Sequence, residues 1–258
     1  MSYKHKIDKS RIPFCNILGV DIAAINMDWL LHFTIDNIEK LSGDYMCVSN
    51  VHTVVNACDD SKYCSIQNGG VMAIPDGGPL SYVGRKRGYV GMERTAGPDY
   101  LKEILKISQD KGYRHFFYGS TKETLEKMRK VIHINYPSVE KIDMYSPPFR
   151  SLTDEEDLQI IQIINKAKPD FIWVGLGAPK QEKWMAQHQG KVNGFMVGVG
   201  AAFDYIAGNI ERAPEWMQQN SLEWVYRLFQ DPRRLFLRYF ISNFKFIWYV
   251  LVKKNERV

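Results

Sequence analysis

Four cysteines in 258 residues, Cys15, Cys47, Cys58 and Cys64, form no CxxC pair and have no histidine at zinc-finger spacing. Neither a structural zinc site nor a disulfide framework is therefore suggested, and reduced, mostly buried thiols are expected. Asp-x-Asp is absent, so the two-carboxylate clamp that holds a metal against a nucleotide sugar is missing and no metal site is assigned. The chain has neither the GxxxxGKS/T phosphate loop nor the GxSxG nucleophile elbow. A dinucleotide fingerprint fails as well: the third glycine of GxGxxG is replaced by Lys180 after Gly175 and Gly177, and by Phe203 after Gly198 and Gly200. No cofactor is assigned. The opening MSYKHKIDKSRIPF lacks the apolar stretch of roughly 7 to 15 residues that marks a secretory signal, so a cytoplasmic location is expected.

What is present is the composition of an ordinary folded protein, 45% apolar and 24% charged, with mass enough for a large core. From Phe14 to about Gly200, short β-rich apolar runs alternate with amphipathic segments, the pattern of an α/β fold, a Rossmann-like and largely parallel sheet flanked by helices. The expected strands are Phe14–Val20, Tyr45–Ser49, Val71–Ile74, His115–Tyr118, Lys141–Tyr145, Phe171–Val174 and Gly194–Val199. Ser120 with Glu123 and Thr153 with Glu156 have capping-box spacing, so a helix should follow each. The division expected is a catalytic α/β domain over residues 1–210 and a basic, aromatic helical appendage over 211–258.

In open sheets of this kind ligands bind beyond the carboxyl ends of the strands, so the segments just after each strand are the place to look. Four stand out: Ser49 to Thr53, Pro75 to Gly78, Gly175 to Glu182 and Gly198 to Asp204. They should converge on one edge. Asp76, between Pro75 and Gly77, is placed to act as a general base toward an acceptor hydroxyl, or else merely to cap a helix or hold a turn. The helix expected near Pro179 would offer free N–H groups and partial positive charge to a diphosphate, with Gln181 and Glu182 reading sugar or ribose hydroxyls; glycine-rich turns also serve plain close packing. Arg94, just before a helix near Pro98, could neutralise a departing diphosphate or pair with Asp99 or Glu93 on the surface. Asn50 and Thr53 could hold sugar hydroxyls or an acetamido group, while His52 is read as structural.

The whole net charge of +5 sits in the last 47 residues, where nine Lys or Arg face four Asp or Glu; the 211 residues before them hold 25 of each sign. After Arg212-Ala213-Pro214 the chain becomes aromatic and cationic, and two helices separated near Pro232 are expected. Arg238 and Lys245 divide the second, which should therefore lie in a membrane interface instead of spanning a bilayer. Arg234, Arg238 and Lys245 share one helical stripe suited to anionic lipid or a lipid diphosphate. The competing reading packs this helical pair on the catalytic domain, its arginines serving the cleft. A nucleic-acid partner is disfavoured, because the rest of the chain is neutral and carries no recognised motif. Homo-oligomer formation is left open.

Taken together, these segments resemble the WecG/TagA/CpsF family of glycosyltransferases, called family 26 among carbohydrate-active enzymes, over nearly the whole chain. The resemblance runs in order from Gly19-Val20-Asp21 through the four crevice segments and Glu93-Arg94-Thr95-Ala96-Gly97-Pro98-Asp99 to Arg212-Ala213-Pro214 and Leu222-Glu223-Trp224-Val225-Tyr226-Arg227-Leu228. Each segment alone is weak; the ordered set is specific. The resemblance implies an inverting, metal-independent transfer from a UDP-sugar, often UDP-N-acetylmannosamine or its uronic acid, to an undecaprenyl-diphosphate-linked saccharide in teichoic acid, common-antigen or exopolysaccharide assembly. It also implies a protein peripheral on the inner face of the cytoplasmic membrane. By motif position it casts Asp76 as the base, Arg94 as a diphosphate or acceptor contact, Asn50 as a sugar contact and Gln181 as a donor contact. Thr53, Gly77, Gly175, Gly177, Glu182, Gly200 and Asp204 complete the expected substrate site. Arg212, Arg227, Arg234, Arg238 and Lys245 are the candidates for acceptor or membrane. Two departures stand out: Ser221 replaces the glycine that commonly precedes Leu-Glu-Trp, and Val48-Ser49 replaces the usual Thr-x before Asn50. The alternatives are a membrane-peripheral protein that binds a nucleotide sugar or lipid without turnover, and an NAD-dependent oxidoreductase, the latter disfavoured by the failed glycine fingerprint.

Overall fold

The computed structural model describes residues 4–252, apart from the side chains of Gln219, Arg234 and Arg238. Eight strands form one sheet: β1 (Phe14–Ile17), β2 (Val20–Ala23), β3 (Tyr45–Ser49), β4 (Met72–Pro75), β5 (His115–Gly119), β6 (Ile142–Tyr145), β7 (Phe171–Gly175) and β8 (Phe195–Gly198). Their spatial order is β1-β2-β4-β3-β8-β7-β5-β6. Only the β1–β2 pair is antiparallel. The single strand expected over Phe14–Val20 is in fact the first arm of a hairpin. Its two-residue turn, Leu18 (φ 52°) and Gly19 (φ 94°), has positive φ at both central positions, the geometry that matches strand twist. The apolar run Ile17-Leu18 carries straight into the turn and hides it.

The strands are flanked by helices α1 (Met27–Leu41), α2 (Val51–Asp59), α3 (Ser61–Gly69), α4 (Gly78–Lys86), α5 (Gly97–Lys111), α6 (Lys122–Asn135), α7 (Asp154–Ala167), α8 (Lys180–His188) and α9 (Ala202–Ile206). β3, β4, β5 and β8 are buried at every position because helices cover both faces of the sheet. Successive side chains point to opposite faces, so Met46 and Val48 join one core with Ile104, Phe117, Trp173 and Val197, while Tyr45 and Cys47 join the other with Tyr118, Ile164, Val174 and Met185. One buried polar chain crosses the first core. Trp173 Nε1 donates to His115 Nδ1 at 3.0 Å, which leaves the proton of neutral His115 on Nε2, facing Ser108 Oγ at 2.9 Å. Burial pushes the His115 pKa down to about 3, so the ring stays neutral and every polar atom in the chain is satisfied.

Two capping expectations separate here. Thr153 and Glu156 form the reciprocal box at the start of α7. At α6 the cap is Thr121, whose side chain accepts from Thr124 N, while Ser120 turns the chain with φ 60°. After α9 come α10 (Glu215–Gln219), α11 (Glu223–Gln230) and α12 (Pro232–Val252). The break near Pro232 is where it was expected; α10 was not anticipated. Arg238 and Lys245 do not interrupt α12, which runs unbroken for 21 residues. Its segment Leu235–Val252 has mean hydropathy 1.3 and is long and apolar enough to cross a membrane by length and composition. One side of it lies on α2, with Leu235, Ser242 and Phe246 buried.

Candidate active site

A cleft of about 1120 Å³ opens at the carboxyl ends of β3, β4, β7 and β8, roofed by α11 and α12. All four crevice segments reach it: Asn50 and Thr53 after β3, Asp76 and Gly77 after β4, Gly175, Gly177 and Gln181 around the end of β7, and Gly200 and Asp204 after β8. The appendage contributes Ser221, Glu223, Trp224, Arg227, Leu235 and Tyr239.

Asp76 is partly exposed on the cleft floor. Its backbone is pinned, with N–H donating to Ser49 O at 2.8 Å and C=O accepting from Arg94 Nε at 2.9 Å. Its Oδ1 accepts from Gly97 N at 3.3 Å, so it caps α5, whose N-cap Ala96 has no side chain to do so. Oδ2 has no hydrogen-bond partner among the described residues. Burial, with Glu223 and Asp99 nearby, raises the Asp76 pKa against the opposing pull of Arg94 and the Gly97 N–H. A carboxylate with one oxygen anchored, the other open to a cleft and its proton affinity raised has the geometry of a general base.

Arg94 is not a free cation. Nη2 meets Glu223 Oε2 at 2.5 Å, and Nη1 lies 4.0 Å from Asp99 Oδ2. Glu223 escaped the sequence reading as a site residue, although it lies in the Leu-Glu-Trp segment. Arg212, expected to reach acceptor or membrane, instead grips Asp99 through both Nη atoms, keeps its Nε 3.5 Å from Glu223 Oε1 and lies over the Tyr205 ring. Arg227 lines the cleft and stacks on the same ring at 5.5 Å, with no carboxylate partner among the described residues. Tyr205, adjacent to Asp204, was also overlooked; it is the platform for both guanidiniums.

The glycine-rich turns are tied together by Gln181, which is 4% exposed. Its Oε1 accepts from Gly177 N and Gly200 N, both at 3.1 Å, and its Nε2 donates to Gly198 O and Glu182 Oε1. The N–H groups of Gly177 and Gly200 are thus engaged within the fold, and at the helix start near Pro179, where free N–H groups were expected, Gln181 N donates to Gly177 O at 3.0 Å. Glu182 is fully buried and does not line the cleft. Removing the Gln181 amide strips Gly177 N of its acceptor and leaves Gly200 N only its long 3.4 Å bond to Val174 O, so Gln181→Ala should cost about 2 kcal/mol, or roughly 4–8 °C in melting temperature by calorimetry. Thr53 is committed to the α2 capping box, its hydroxyl accepting from Asn50 N and donating to Asn50 O. Asn50 uses only Oδ1 in that box, and its NH₂ makes no hydrogen bond among the described residues.

Lys245 turns toward the protein, pairing with Asp59 of α2 at 2.7 Å. The side chains of Arg234 and Arg238 lie outside the described residues. Ser221 sits at φ 61°, the left-handed region that favours glycine, and packs so closely that a methyl group on Gly78 would overlap its hydroxyl. The appendage therefore meets the start of α4 in direct contact. None of the four cysteines is in a disulfide; Cys15 and Cys47 are buried and the other two partly so.

The family model of the "Glycosyl transferase WecG/TagA/CpsF family" matches residues 15–258. The N-acetylglucosaminyldiphosphoundecaprenol N-acetyl-beta-D-mannosaminyltransferase of Bacillus subtilis (strain 168) is 30% identical over 198 residues, 76% of this chain and 75% of that protein. The protein of the same name from Staphylococcus aureus (strain MW2) is 26% identical over 235 residues, 88% of this chain and 89% of its own length. With the ordered motifs gathered around one cleft and a match over nearly its whole length, this chain belongs to the WecG/TagA/CpsF family of glycosyltransferases.

Proposed function

We propose that this enzyme transfers N-acetylmannosamine, its uronic acid or a related hexose from a UDP-sugar to an undecaprenyl-diphosphate-linked saccharide in bacterial cell-surface polysaccharide synthesis, with inversion and without a metal ion. The observation that carries the proposal is Asp76, anchored through one carboxylate oxygen and open to the cleft through the other. The relatives named above, called N-acetylmannosaminyltransferases acting on a diphosphoundecaprenol-linked sugar, support the choice of sugar and acceptor.

The acceptor hydroxyl gives its proton to Asp76 as its oxygen attacks the anomeric carbon from the face opposite UDP; the anomeric C–O bond to UDP breaks and the pair leaves with the diphosphate. Arg227 and Lys180, both lining the cleft, balance the departing charge, and the Asn50 NH₂ meets a sugar hydroxyl or acetamido oxygen. Gly77 and Asp204 flank the donor sugar, and Gly175, Gly177 and Gly200 bring backbone to it; a Cβ at Gly177 would meet open space, whereas one at Gly175 would strike the buried Phe203 ring. In this reading residues 1–210 supply the base and the donor site, and residues 211–258, besides lending Arg227 to the leaving group, bind the acceptor at the inner face of the cytoplasmic membrane, with α12 in the interface.

Purified enzyme, a panel of UDP-sugars and a short-chain lipid-diphosphate saccharide should yield one product by mass, with an anomeric configuration by NMR opposite to that of the donor. Turnover should persist in EDTA. UDP binding with no product from any pair, a retained configuration, or activity lost to EDTA and restored by a divalent cation would each count against the proposal.

A further inference from the structure

The base is held by two other groups, and both are themselves held by one ion cluster. Arg94 Nε fixes the Asp76 carbonyl, and the first turn of α5, which contains Asp99, fixes the Asp76 carboxylate through Gly97 N. Glu223, at the first position of α11, bonds Arg94 through Oε2 and faces Arg212 through Oε1; Arg212 in turn clasps Asp99. Two cations and two anions close a ring behind Asp76, with side chains 13–37% exposed. In so sheltered a place charge pairing is strong, and loss of one member leaves the others uncompensated. Both anions of the ring meet both arginines, but Asp99 belongs to α5 at the sheet edge whereas Glu223 comes from the roof of the cleft.

We infer that Glu223 is a positioning residue for the base, holding Arg94 and Arg212 so that the Asp76 carbonyl and carboxylate are fixed together beneath the roof. The inference rests on Asp76 being the base. Arg94, its charge already matched, acts in this scheme on Asp76, and the free guanidinium of Arg227 is left to the diphosphate. The groups facing Asp76 are Arg94 from the loop before α5, Asp99 and the Gly97 N–H of α5, Glu223 of α11 and, on α9, Tyr205 with Arg212 and Arg227 stacked on it. Removing the Glu223 charge takes away an anion that raises the Asp76 pKa and frees Arg94, which lowers it. Both changes move the Asp76 titration in the same direction, downward.

The test is Glu223→Gln in the full-length enzyme, with kcat and KM for donor and acceptor measured across pH and Asp76→Asn as reference. A base displaced by a fraction of an ångström should lower kcat about 10- to 100-fold with donor KM within about twofold. The acidic limb of kcat should move down by roughly half a pH unit or more. Asp99→Asn should move it in the same sense by less, and it provides the second measurement should Glu223→Gln melt early. The Glu223→Gln, Arg94→Gln double variant should be no slower than the slower single variant. An unmoved acidic limb in both carboxylate variants, a loss confined to KM, or multiplicative effects in the double variant would overturn the inference. If Asp76→Asn is inactive while the limb stays put, only the role of Glu223 falls; if Asp76→Asn is active, the assignment of the base falls with it.

Discussion

Asp76→Asn should lower kcat by about 10²–10⁴-fold, the usual contribution of a positioned general base, with donor KM and melting temperature little changed. The substitution isolates proton transfer. Asparagine keeps an oxygen that can accept from Gly97 N, so the cap on α5 survives, and the backbone bonds to Ser49 and Arg94 do not involve the side chain. What disappears is the open oxygen that takes the proton. The pH profile of the native enzyme supplies an independent check. The base must be ionised to work, so activity is present above its pKa and lost as pH falls through it. Because burial and the neighbouring Glu223 and Asp99 raise that pKa, the acidic limb should lie above the ordinary carboxylate range, near 4. A variant with native turnover, or a limb at or below that range, would remove Asp76 from the chemistry.

The sheet was legible because its central strands are buried on both faces and read as unbroken apolar runs, and because ligand-bearing turns in such sheets follow the strands. That is why Asn50, Asp76, Gly177 and Gly200 can be placed on one edge from the sequence alone. The hairpin at Leu18-Gly19 was not legible, since an apolar residue occupies a turn position. Contacts between distant segments were also hidden. Asp99 and Arg212 are 113 residues apart and Arg94 and Glu223 are 129 apart, and no local spacing signals that they close one ring. Gln181 looked like a ligand contact because it follows a glycine-rich turn; its amide instead staples two such turns together, a role visible only once β7 and β8 lie side by side. Lys245 belonged to a cationic stripe in the sequence and to the α2 interface in the fold, because Asp59 waits opposite it.

Removal of residues 211–258 should abolish flotation with anionic vesicles and lower kcat/KM by about 10²-fold or more, for two separable reasons. The first lies inside the cleft. Truncation takes away Glu223 behind Asp76, the cleft-lining Arg227 and the wall formed by Trp224, Leu235 and Tyr239. The second lies on the outer side of α12. Phe236, Phe240, Phe244, Ile247, Trp248 and Leu251 are each more than half exposed and recur at helical spacing, while the opposite side rests on α2. A helix docked along one side and apolar along the other can lie in an interface plane, and burying even a few of these side chains contributes about 2 kcal/mol each. The two effects should come apart by substitution. Phe240→Ser with Trp248→Ser should lose flotation yet keep turnover on a short-chain soluble acceptor, because neither residue lines the cleft. Arg227→Ala should float normally and turn over slowly. If the double serine variant still binds vesicles, the lipid-facing role passes from this side of α12 to another surface; if the truncated enzyme keeps its turnover, the cleft is complete without its roof, and the base needs no support from α11.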